Sequence, residues 1–209
     1  MVPEQIEENY PPRQNEKSGA GFILYTNAVY DAVIIPNIGT EFNLGKGWGL
    51  NIRYDGIWNP INDRHIYWRI YGGEVTLRKY MGARNAIVSG LFGPHTGHHI
   101  GLMAQAITYD IEFKNTGYMA GEPEGNIFNR SSFGVGLEYG YTMPLGRHWN
   151  LDFSIGAGWF GGKYYTYEPM GGQYVWQSTA RNSWLGPTRA DISFYYLFGR
   201  SARQKGGGR

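Results

Sequence analysis

The chain has 209 residues, with 32 glycines, 17 tyrosines, 7 tryptophans and no cysteine. The lack of cysteine excludes disulfides and thiolate chemistry, and a net charge of +2 on scattered Lys and Arg excludes a nucleic-acid footprint. Mean hydropathy is −0.43, and no apolar run reaches the roughly 18–20 residues that a spanning helix needs.

Residues 1–19 are a polar, proline-rich lead without periodicity, expected to be disordered. They contain no apolar leader core, so an exported protein with this chain is expected either to have its leader missing from the numbering or to be numbered from a wrong start codon. A first strand is expected over Gly21–Val33, ended by Pro36. A second, Asn37–Leu44, leads into a tight Gly45-Lys46-Gly47 hairpin turn. The third, Trp48–Trp58, places Trp48, Leu50, Ile52 and Tyr54 on one face and Asn51, Arg53 and Asp55 on the other.

Asn59–Arg64 reads as a loop. A fourth strand, Ile66–Tyr80, alternates less cleanly, and Gly72-Gly73 suggests a bulge. Met81–Gly97 is a glycine-rich connector. The fifth strand is His99–Phe113, followed by a polar loop, Lys114–Arg130. The sixth, Ser132–Met143, sets Phe133, Val135, Leu137, Tyr139 and Tyr141 against Gly134, Gly136, Glu138 and Gly140. After a turn at residues 144–148 the seventh runs from Trp149 to Tyr167. Glu168–Pro187 reads as a third large loop, and Thr188–Phe198 closes the chain.

In these strands the apolar face carries aromatics, and the polar face carries full charges beside glycines. That is the code of a strand with lipid outside and a polar lumen inside. The reading is an all-β chain: an eight-stranded antiparallel up-and-down transmembrane β-barrel over residues 20–198, with a polar, side-chain-filled lumen and a flexible tail over 199–209. The lumen set is Glu41, Arg53, Asp55, Glu74, Arg78, Glu138, Asp152, Arg189 and Asp191. Eight strands leave an interior just wide enough for side chains, so these charges are expected to pair and to plug it.

Candidate chemistry is thin. His95, His98 and His99 form HTGHH, but no Asp, Glu or Cys lies within the segment, and they read as structural or solvent-exposed. His65, Ser178 and Ser183 are the Ser/His candidates for a lipid-modifying enzyme, and no nucleophile motif accompanies them. No cofactor or metal is expected. The aromatics Trp58, Tyr118, Phe128, Tyr164, Tyr165, Tyr167, Tyr174, Trp176 and Trp184 read mostly as an interfacial girdle. The loop Glu168–Pro187, with Tyr174, Trp176 and Trp184, is the expected place for a glycan or protein partner.

Several motifs in order carry a resemblance. YTNAVYDAVIIPNIGTEFNLGKGWGLNIRYDGIW (25–58), TGHHIGLMA (96–104), FGVGLEYGYTMPLGRHWNLDFSIGAGW (133–159) and LGPTRADISFYYLF (185–198) together resemble a Bacteroidetes family of small outer-membrane barrels filed as a domain of unknown function. The resemblance implies a bacterial outer-membrane barrel, often encoded in fimbria-type gene clusters, and it carries over no catalytic residue. The expectation is therefore a monomeric, non-catalytic barrel among outer-membrane lipids, accessory to a surface appendage or assembly. The rivals are a lipid-modifying enzyme and a soluble lipocalin-like or β-sandwich binder.

Overall fold

The computed structural model describes residues 22–58, 66–81, 95–113, 115–121, 126, 128–146 and 148–198. The lead 1–19, the tail 199–209, His65 and most of the connector after Met81 lie outside these residues. Nine antiparallel strands carry the fold: β1 (Phe22–Asn27), β2 (Asn37–Gly45), β3 (Trp48–Trp58), β4 (Ile66–Met81), β5 (Gly97–Phe113), β6 (Thr116–Ala120), β7 (Ser132–Pro144), β8 (Trp149–Met170) and β9 (Gln173–Leu197). One short helix, α1 (Ala28–Ala32), follows β1.

The sheet returns on itself. β1 pairs with β2, and the pairing passes in turn through β3, β4, β5, β7 and β8 to β9. β9 then pairs with β1, from Ile23↔Leu197 to Asn27↔Ser193. Eight strands make this closed hydrogen-bonded ring. The ninth, β6, fills the gap between β5 and β8 beyond the end of β7, pairing Asp110–Phe113 on one side and Tyr164–Tyr167 on the other.

The side chains follow the period-2 code. Glu41, Asn51, Arg78 and Asp152 are 0% exposed, whereas Leu137 is 68% and Ile155 65% exposed. Tyr54, Leu102, Val135 and Trp149 stand on the same outer surface and are at least half exposed. Charged and polar groups fill most of the interior beside a small buried cluster of Ile23, Tyr25, Tyr195 and Leu197, and large apolar side chains stand on the outer surface.

Four expectations need correction. The first strand stops at Asn27 rather than Val33. The Asn27 side chain accepts a hydrogen bond from the Val29 N–H at 3.0 Å and so caps α1, as short amide side chains do. The Asn37 side chain then accepts from the Asn27 N–H at 2.7 Å. The bulge at Gly72-Gly73 is absent, since both residues keep unbroken register with β3 and β5. The expected polar loop 114–130 holds β6. The expected loop Glu168–Pro187 is instead the far half of a hairpin, with β8 and β9 running on to a turn at Gly171-Gly172, where φ is +61° and +80°. Glycine accepts that left-handed backbone without a Cβ penalty.

Candidate functional site

The strand register brings all nine charged positions into the ring, and none is more than 6% exposed. They form a ladder of alternating sign. His95 Nδ1 lies 2.6 Å from Glu41 Oε1. Arg78 donates to Glu41 at 2.9 Å and, through two nitrogens, to both oxygens of Glu138 at 2.7 and 3.1 Å. Glu138 Oε2 in turn lies 2.5 Å from Arg189. Arg189 also pairs with Glu74 and Asp191. Arg53 continues the series, 3.6 Å from Glu74, donating to Asp191 at 2.8 Å and pairing with Asp55 at 3.0 Å. The planar guanidinium fork lets one Arg hold several carboxylates.

Three guanidinium groups thus serve six carboxylates. Neutral donors add further hydrogen bonds to four of the carboxylates. Tyr80 donates to Glu41 at 2.8 Å, Thr142 to Asp152 at 2.5 Å, Asn27 to Asp191 at 2.5 Å and Thr76 to Glu74 at 3.1 Å. At the α1 end the ladder is topped by Tyr30, whose ring lies 4.7 Å from the Arg53 guanidinium carbon. Burial pushes the Tyr30 hydroxyl above the usual phenol range, so it stays neutral there.

Two members of this cluster lie outside the nine charged positions expected from the sequence. His99 is fully buried, with Nε2 2.9 Å from Asp152 and Nδ1 3.3 Å from Glu138. His95 is buried against Glu41 and edge-on to the Tyr80 ring. The clue was phase. His99 shares its face with Gly101 and Met103, and both of those point inward. His98 points outward, with its Nδ1 2.8 Å from the Tyr139 hydroxyl. Among the described residues no set of three or more His, Asp or Glu side chains is arranged to hold a metal ion.

The interior glycines make room for these groups. A Cβ on Gly140 would fall 2.5 Å from the His99 ring and 2.7 Å from the Phe153 carbonyl, which is backbone and cannot move aside. Gly140→Val should therefore lower stability by about 1–3 kcal/mol through overpacking. The expected result is a lower urea midpoint in detergent, and an unchanged midpoint would refute the packing argument.

The hairpin end is different. Tyr174, Trp176 and Trp184 are 52%, 59% and 54% exposed, and they lie on β9 rather than on a loop. They do not form one cluster. Tyr174 packs edge-on against Tyr167, the Trp176 indole donates to Thr179, and the Trp184 indole donates to the Pro187 carbonyl. The two serines weighed for catalysis are bonded elsewhere. The Ser178 hydroxyl is 2.8 Å from Thr166, and Ser183 accepts from the Trp159 indole at 2.9 Å.

A family model described as "Protein of unknown function (DUF3575)" matches residues 14–198. The chain belongs to this family. No curated protein and no solved structure matches it. The DUF3575 match spans the whole ring, the charge ladder and the β8–β9 hairpin, so all three are parts of the family's domain.

Proposed function

We propose that this DUF3575 chain is an outer-membrane β-barrel, plugged by its own ion pairs and non-catalytic, that acts as an accessory partner in a surface assembly. The observation that carries the reading is the inverted polarity. Leu137 and Ile155 stand outside and largely exposed, while Arg78, Glu41 and Asp152 are sealed inside. Lipid is the environment that makes such an outer face favourable, and a closed ring is the strand architecture that leaves no unpaired backbone in it. A soluble lipocalin-like binder would carry the opposite sign on both faces. A lipid-modifying enzyme is disfavoured by Ser178 and Ser183, each engaged with a group other than histidine.

In this reading the Gly45–Gly47 turn, the start of β1 and the end of β9 face the periplasm, and the β8–β9 hairpin faces outward. The resemblance to fimbria-associated Bacteroidetes barrels suggests an appendage as the assembly served. Folded protein should migrate differently on a detergent gel before and after boiling, and identical migration of folded samples would sink the barrel. In planar bilayers the ladder should block steady conductance, and open-channel steps would overturn the plug.

A further inference from the structure

Above the level where β1 ends, β9 is strand-paired on one side only among the described residues. β8 pairs with it along its length, from Trp149↔Tyr196 to Met170↔Gln173. On its other side β1 covers Ser193–Leu197, and the Asn27 side chain reaches the Ile192 N–H. Among the described residues no strand pairs with that edge over residues 173–188. After β1 the chain leaves the strand conformation for α1, which lies against β9 near the end of β1 without pairing with it as a strand.

An open edge presents alternate N–H and C=O groups in a row, and proteins normally blunt such rows with lysine, proline or bulges. This one is weakly guarded. Between Gln173 and Thr188 the only charged side chain is Arg181 and the only proline is Pro187. Register irregularities fall at the two ends, opposite Thr166/Tyr167 and Gly156/Ala157, and leave Ser178–Leu185 in unbroken register with β8. Apolar groups flank that stretch. Leu185 is 80% exposed, and Trp184 pairs with Phe160 on the face that leads into the ring.

We propose that the free edge of β9, centred on Ser178–Leu185, takes an extended strand of a partner polypeptide by β-addition. The occupant must be polypeptide, because a row of main-chain donors and acceptors is matched by another main chain and not by a lipid or a glycan. Its side chains are apolar where it passes Trp184 and Leu185 and uncharged or acidic where it passes Arg181. This deepens the accessory-partner reading and rests on it for the partner's biological setting, but not for the chemistry of the edge.

The test uses the full chain folded in detergent and a soluble peptide of about ten residues with alternating valine and threonine, a generic strand former. Hydrogen exchange is followed with and without it. Amides within 173–188 should slow by about tenfold or more while the rest of the hairpin is unchanged. The same peptide with alternate amides N-methylated keeps its side chains but cannot join a ladder, and it should give no protection. Lack of protection by the first peptide, or equal protection by the second, overturns the edge as the site. Protection before any peptide is added, in a sample whose mass is that of a dimer, overturns it too, since a second copy then occupies the edge. Boiled and unboiled samples of the same preparation report separately on the barrel, so one reading can fail without the other.

Discussion

Arg78→Ala should cost the folded ring about 3–5 kcal/mol, or prevent folding altogether, because it strands buried carboxylates without their cation. Arg78 is the crossing point of the lower ladder. It donates to Glu41 and Glu138, lies 3.7 Å from Asp152, and also meets the Tyr195 hydroxyl. None of these groups can reach water when the guanidinium is removed, since Glu41 and Asp152 are 0% exposed. Urea unfolding in detergent, followed by tryptophan fluorescence, reads the loss. Arg78→Lys should recover only part of it, since a single ammonium cannot replace the bidentate contact to Glu138. Adding Glu41→Gln and Glu138→Gln to Arg78→Met should recover more than Lys does, because that variant removes two of the three carboxylate charges beside Arg78. A wild-type midpoint for Arg78→Ala would show that the ladder contributes nothing to holding the ring.

Leu137→Arg should have the second large effect, and it separates lipid from water as the outer solvent. Leu137 is 68% exposed and points away from the ladder, between Val135 and Tyr139 on β7. A cation at mid-membrane on a barrel's lipid face costs about 2–4 kcal/mol. On a water-facing surface the same change stays within about ±0.5 kcal/mol. Folding yield into phosphatidylcholine vesicles should fall sharply while the secondary structure in urea-free detergent survives. Equal insertion by the variant and the parent would contradict a lipid-facing β7.

Where one face of a strand had to be buried and the other did not, the sequence was readable. β3 was expected at Trp48–Trp58 and is found there, and Ser132–Met143 was expected where β7 spans Ser132–Pro144. The same alternation singled out nine charged positions, and all nine are inside and paired. Legibility failed where that contrast fades. In the far half of β9 both faces meet solvent, so Tyr174 to Ser183 shows no alternation to read. β6 is only five residues long and sits within polar sequence. Helix α1 depends on a cap at Asn27 and on the Asn37 side chain from the next strand, a tertiary contact that local pattern cannot announce. His99 was obscured because its neighbours in phase are glycine and methionine, which weaken the apolar–polar signal that marks a face.

The seam between β1 and β9 also bears on biogenesis. Ile23 meets Leu197 across most of the sequence, and the rings of Phe22 and Phe198 stack at 4.9 Å. Every other ring pairing joins strands that are near neighbours along the chain. Closure must therefore wait for the last strand, and until it happens the carboxylates and guanidinium groups have no enclosed space in which to pair. A chain halted before Ser193 would lack the β1–β9 pairing and carry two unpaired strand edges. Ring closure and the enclosure of the charged interior are thus one event, set by the pairing of the first strand with the last.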